Sequence, residues 1–333
     1  MNRQRVATLV LAIVVAVFLA VNRHDIPTTW RVLRNANAAW IAFGGLLSIV
    51  LMLQYVWARR AGLVAVGVHL PVVSLLRAAA VAHSLNIVAK SGGIAGLRAY
   101  RKEAERVGES TSRVTGGYLL VIVAGDVAFA MLLLVAMVVL VVDGRFSATD
   151  AVAASVFAVY FVLVVSALIA ASRSRAAVRR IYGLPEQIRA RMLRLLHRHH
   201  TPNQSHESAD ELFDAVQIVR SRPLAVLPAI GGGLGIEIVS VAIVWVALRS
   251  FGVHTGITVP LVGYAVSTMF SIVGVLPAGL GFAEASLGAV LVSYSVSGPV
   301  AAAVVITERA FEVWIPLALG ALVAVMPVRS DER

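Results

Sequence analysis

One stretch near the C-terminus, Ser271-Ile-Val-Gly-Val-Leu-Pro-Ala-Gly-Leu-Gly-Phe-Ala-Glu284, limits the possible folds of this chain more than any other. It is embedded in apolar sequence, yet it carries Pro277, Gly274, Gly279, Gly281 and the carboxylate of Glu284. In hydrocarbon each unsatisfied backbone group costs several kcal/mol, so a broken helix at membrane depth survives only where protein or a cavity covers it. An ionisable side chain there costs a few kcal/mol more and marks a functional site by default. The plainer reading is a kinked helix whose Glu284 is paired or reaches the interface.

The chain does something similar once before, at Asn86-Ile-Val-Ala-Lys-Ser-Gly-Gly-Ile-Ala-Gly-Leu-Arg98. An offset of 186 residues lays Gly93 on Gly279, Ile94 on Leu280 and Arg98 on Glu284. Each stretch is followed by an acid within a long apolar run, Asp126 in the first and Glu308 in the second, which makes these two acids counterparts. Weak internal duplication of this kind is the mark of a repeat-built transporter.

Hydrophobic residues make up 59% of the 333 positions and charged ones only 14%, which excludes an ordinary soluble domain and predicts an all-α, polytopic membrane protein. Cysteine is absent, so disulfides, thiolate metal sites and a cysteine nucleophile are excluded. The net charge of +11 points to loops facing anionic lipid, because no basic run is interleaved with aromatics as nucleic-acid binding requires. His197, His199 and His200 lack a carboxylate pattern that would make a metal site. No metal or other cofactor is expected.

Six full spans are expected, at about 6–21, 38–57, 115–142, 151–171, 223–251 and 300–326. Charge decides how the apolar stretch at 71–97 is placed. If it dips in and returns, inner segments hold 21 Lys and Arg against five outside; if it crosses, the bias reverses. The positive-inside rule therefore favours a re-entrant hairpin at 71–97, and its counterpart at 259–292 enters from the other face. Residues 22–37 form an outer polar segment, and both termini lie in the cytoplasm. The expected layout is a membrane half at 1–171, a basic linker at 172–222 and a second membrane half at 223–333, opposite in orientation to the first.

Within the linker, Ile181, Leu184, Ile188, Met192 and Leu195 recur at helical spacing among arginines. Two readings stand, an amphipathic helix on the inner leaflet or a solvated connection. Gly231-Gly-Gly-Leu-Gly235 reads as close helix packing, and Arg309 reaches Glu312 at i,i+3 spacing.

At Leu276-Pro-Ala-Gly-Leu-Gly-Phe-Ala-Glu284, followed by Thr307-Glu308-Arg309, the sequence resembles the lysylphosphatidylglycerol synthase transmembrane-region proteins, the flippase-type domains of bacterial aminoacyl-phospholipid synthases and their stand-alone relatives. The resemblance covers nearly the whole chain in layout and is specific in the C-terminal third. It implies an inner-membrane protein that moves, or helps move, phospholipids between leaflets, with Pro277, Gly279, Gly281, Glu284, Glu308 and Arg309 as the functional positions. The first-half stretch lacks a proline matching Pro277, and the sequence after the last span leaves no room for the soluble synthase domain, so synthesis of the modified lipid is not expected.

The residues support a phospholipid translocase with Arg98, Asp126, Glu284 and Glu308 along the path. Its expected partners are anionic or aminoacylated phospholipids, with no nucleic acid. Two alternatives remain. One is a non-catalytic partner of a lipid- or glycan-synthesis enzyme. The other is a membrane-embedded lipid-modifying enzyme, against which stands the absence of HExxH and GxSxG motifs.

Overall fold

The computed structural model describes residues 26–88, 93–145, 148–176, 213, 217, 221, 223–273, 279 and 281–325. The expected span at 6–21, the amphipathic pattern at 181–195 and Pro277 lie outside these residues. The described residues are helical throughout, with no strand among them. In chain order the helices are α1 (Ile26–Arg34), α2 (Ala38–Ala65), α3 (Val72–Val88), α4 (Leu97–Arg106), α5 (Thr111–Val142), α6 (Ala148–Arg173), α7 (Leu227–Ser250), α8 (Thr258–Val273), α9 (Phe282–Ser293), α10 (Gly298–Arg309) and α11 (Ile315–Val325). A π turn, Ala310–Trp314, joins α10 to α11.

Ala38–Ala65, Thr111–Val142 and Pro223–Ser250 are each long and apolar enough to cross a bilayer. Their outer faces carry large exposed apolar side chains, among them Leu134, Val138 and Val142 on α5, which only lipid can cover at no cost. The chain is a polytopic helical membrane protein. One segment read from sequence only as polar and outer, 22–37, contains α1. Its Arg31 and Arg34 fall in the last turn, where they complement the helix dipole.

The helices repeat at the offset of 186 residues. It carries Val72, the start of α3, onto Thr258, the start of α8. Leu97, the start of α4, falls on Ala283 in α9, and Thr111, the start of α5, on Ser297, which flanks α10. Gly93 and Gly279 both hold left-handed backbone, at φ +85° and +67°, where a side chain is strained. Each lies between two antiparallel helices. In α8 and α9, Gly263 faces Leu287 and the Ser267 hydroxyl bonds the carbonyl of Ala283 at 3.2 Å.

The repeated helices α2 and α7 run antiparallel and touch along their length. Asn37 N–H donates to Ser250 O at 2.8 Å at one end, Trp40 meets Trp245 with ring centroids 5.4 Å apart, and Gly232 abuts Ala58 at the other end. The packing exchanges in the same sense: α3 lies on α11, where Gly320 meets Ala80, and α8 lies on α5, where Ala265 and Met269 join Leu133. The glycines of 231–235 are packing positions, since Gly233 meets Ala124 and Ala128 of α5 while Gly232 meets α2.

A reciprocal close crossing joins α2 and α5, where a Cβ on Gly62 would stand 2.7 Å from Gly117 O and one on Gly117 2.8 Å from Gly62 O. Gly62→Leu is expected to destabilise the protein by about 1–3 kcal/mol or more through overpacking. Gly45→Ala, where a Cβ meets nothing within 4 Å, should be neutral or stabilising by up to about 1 kcal/mol. Thermal unfolding in detergent checks both; equal effects would contradict the packing described.

Candidate functional site

The two hairpin breaks are stitched by different chemistry. In the first half the Asn86 side chain spans the turn: its Oδ1 accepts from Gly96 N–H at 2.8 Å, and its Nδ2 donates to the Tyr118 hydroxyl at 3.1 Å. That hydroxyl in turn donates to Gly93 O at 2.7 Å. This side-chain network thus satisfies Gly96 N–H and Gly93 O, as burial away from water demands. Arg59 of α2 completes it, donating to Tyr118 O at 3.0 Å with its guanidinium 3.8 Å from the Tyr118 ring centroid.

In the second half charges take over. Gly281, at φ +85°, precedes α9, and its N–H donates to Glu284 Oε2 at 2.6 Å, so the carboxylate caps its own helix. The other oxygen, Oε1, lies 3.1 Å from Arg309 Nε. Arg309 Nε is also 3.4 Å from Glu308 Oε2, and its Nη2 donates to Ser267 Oγ of α8 at 3.3 Å. Glu308 is 1% exposed, a desolvation that only a close cation and polar partners offset. One arginine on α10 therefore ties both arms of the α8–α9 hairpin to the helix that follows it.

The Arg309–Glu312 pair expected from i,i+3 spacing is not formed. The π turn begins at Ala310 and widens the helix there, and Glu312 accepts instead from Ser240 Oγ of α7 at 2.9 Å. A second correction concerns the acids of the two halves. At the offset that aligns the helices, Asp126 falls on Glu312 rather than on Glu308.

Beside this cluster a cavity of about 220 Å³ opens between α2, α5, α7 and α8. Its polar lining includes Tyr55, Arg59, Asp126, Glu237 and Thr268. Asp126 accepts from the Tyr160 hydroxyl of α6 at 3.1 Å, and the buried Glu237 is hydrogen-bonded to Tyr264 while its Oε2 has no hydrogen-bond partner. Tyr55 meets His83 of α3 in a tilted ring contact, 4.7 Å between centroids, which extends the polar belt to the first hairpin.

Of the residues singled out in the sequence, Glu284, Glu308 and Arg309 lie together, with Gly281 at the cap and Gly279 packed on Ser271. Asp126 stands apart, in the cavity, and Arg98 is exposed on α4 outside both groups. Sequence reasoning passed over Arg59, Ser267, Tyr118 and Asn86. For Glu237 a signal existed, since it is a carboxylate inside an apolar span; Arg59, at the end of one, reads as an interfacial anchor.

Arg309→Gln leaves Glu308 buried without its cation and is expected to cost about 3–5 kcal/mol of stability. The Glu284→Gln/Arg309→Gln double variant should lose less than the sum of the singles, by about 0.5–3 kcal/mol of coupling. Denaturation of the four proteins in one detergent measures both quantities, and strict additivity would contradict the pair.

No curated protein matches the chain. The model of the family described as "Lysylphosphatidylglycerol synthase TM region" matches residues 5–320, which spans every described helix but the last residues of α11. The chain therefore belongs to the lysylphosphatidylglycerol synthase transmembrane-region family and is a multi-pass membrane protein tied to lipid handling.

Proposed function

We propose that this protein is a phospholipid translocase, in which the two hairpins are re-entrant from opposite faces of the inner membrane and the headgroup passes between them. The observation that carries this reading is the Glu284–Arg309–Glu308 cluster, a set of charges held at the break of a hairpin among apolar helices. Membrane-embedded charges at broken helices mark substrate paths. The antiparallel run of α2 against its repeat-mate α7 supports the opposed orientation of the halves, with both termini in the cytoplasm.

The chemistry follows from what Arg309 holds. A guanidinium binds carboxylate and phosphate oxygens in the same planar geometry, so an arriving phosphate competes with Glu284 for it. Glu284 then keeps its second bond to Gly281 N–H, which prevents a bare carboxylate in hydrocarbon. A headgroup amine finds Glu284 once Arg309 has been taken. The cavity carrying Asp126 and Glu237 gives the polar route its continuation toward the first half. The sequence contains no nucleotide-binding motif, so transport draws on a gradient or on the lipid's own concentration difference.

The test is transfer of fluorescent phospholipid between leaflets in proteoliposomes. Glu284→Gln keeps the cap geometry and removes the charge, and is expected to slow transfer about tenfold or more, the loss of one charged hydrogen-bonded contact. Unchanged transfer in that variant, or none by the wild-type protein in oriented vesicles, would contradict the translocase.

A further inference from the structure

The C-terminal end of α7 meets the start of α2 beneath α1, and between them lies a hollow of about 510 Å³. This is the size range of ligand pockets. Asn35, Asn37, Trp40, Arg249 and His254 supply its polar and aromatic lining, and no carboxylate is among the lining residues. Residues 26–40 and 245–260, which build it, contain no acid at all. Arg249 therefore lines the hollow without an acidic residue in either segment.

Arg249 is the informative group. Its guanidinium lies 5.1 Å from the Trp245 ring centroid, and its Nε is shielded from solvent with no hydrogen-bond partner. A shielded donor on a permanent cation is costly unless something accepts from it. The Asn37 Oδ1 is spent on Ala39 and Trp40 N–H, which leaves its amide N–H groups as the remaining polar function facing a ligand. Thr255, next to His254, likewise has a shielded hydroxyl without a partner. A shielded guanidinium N–H in a hollow without a carboxylate is the complement of a phosphate.

The place also fits a lipid. Ser250 and Ala38 end two membrane-crossing helices, so the hollow sits at the depth of the headgroups. Trp40 and Trp245 pack together there and Trp30 of α1 is 56% exposed, as in an interfacial aromatic belt. The repeat offset lays Leu63, Val64 and Val68 on Arg249, Ser250 and His254. Those three line a smaller hollow of about 80 Å³ at the opposite end of the α2–α7 pair, with Arg60 as a cation in its lining. There an acid is close by, since Glu109 accepts from the backbone N–H of His69 at 3.4 Å.

We propose that the hollow beneath α1 is a docking port for the phosphate of an anionic lipid headgroup, with Arg249 as its anion-binding group. The port rests on the translocase reading and gives it a substrate class, phosphate-bearing lipid with net negative charge, and a position at one membrane face where the lipid is taken up or released. Arg249 binds the phosphate, Asn35 and Asn37 supply hydrogen bonds, and α1 forms the roof that separates headgroup from water.

The chain has no cysteine, so Val300→Cys, in the wall of the hollow, gives one thiol whose maleimide labelling reports occupancy. In detergent micelles phosphatidylglycerol is expected to slow labelling about tenfold, on the scale of charged hydrogen bonds to a phosphate, while phosphatidylcholine and inorganic phosphate do not. Arg249→Gln should abolish the protection and Arg249→Lys should keep part of it, which separates lost binding from lost fold. Equal protection by phosphatidylcholine, protection by inorganic phosphate alone, or full protection in Arg249→Gln would overturn the port. Occupancy is read without transport, so Glu284→Gln should leave it intact. Lost transfer with intact protection would fault only the path, and intact transfer without protection only the port.

Discussion

Hydrocarbon offers a broken helix no water to bond, and the described structure is arranged around meeting that constraint twice. At the first break an asparagine and a tyrosine satisfy the turn; at the second a glutamate caps its own helix and an arginine holds the glutamate. The first solution bonds the turn through neutral side chains and buries no carboxylate. The second places Glu308 and Arg309 out of water, and such a pair adds little stability over well-packed apolar residues of the same shape. A protein that needed only a tight turn had the cheaper device available in its own other half, and this contrast supports the proposal that the second break carries the function.

The rest of the fold follows from duplicating a helix, a hairpin and a long helix, and setting the copies against each other. Because α2 and α7 are equivalent and antiparallel, each half lends its long helix to the other's hairpin: α5 backs α8, and α11 backs α3. Small residues bring the helices close, Gly232 and Gly233 of α7 against α2 and α5 across the seam and Gly62 against Gly117 within the first half. In the middle of the seam space is left beside Asp126 and Glu237, and there the cavity forms. Divergence between the copies lies where function would put it, in the π turn after Arg309 and in the acid-free pocket at Arg249.

Much of this was legible in the sequence, because two strong signals survive in a single chain. Apolar runs fix the existence of the long helices to within a few residues, as at 115–142 against Thr111–Val142. Glycines in register, Gly93 and Gly279, mark turns that need left-handed backbone. Legibility ended where contacts depend on helix phase. The Arg309–Glu312 pair follows from ideal α-helical spacing, and a π turn defeats it. Arg98, aligned with Glu284 by sequence, points to nothing comparable, because the first break is closed by Asn86 and Tyr118, 32 residues apart and without any local signature. Long-range partners such as Ser240 for Glu312 are set by the packing of α7, which no window of sequence contains.

The central claim is that the two halves enter the membrane in opposite senses, and it has a direct measurement. Ser110 and Ser297 flank the N-termini of the equivalent helices α5 and α10, so each replaced by the chain's only cysteine reports one half. Labelled in intact cells or sealed inner-membrane vesicles with an impermeant maleimide, the two are predicted to react from opposite faces. Reaction of both from the same face would contradict the inverted arrangement, and with it the path between two opposed hairpins.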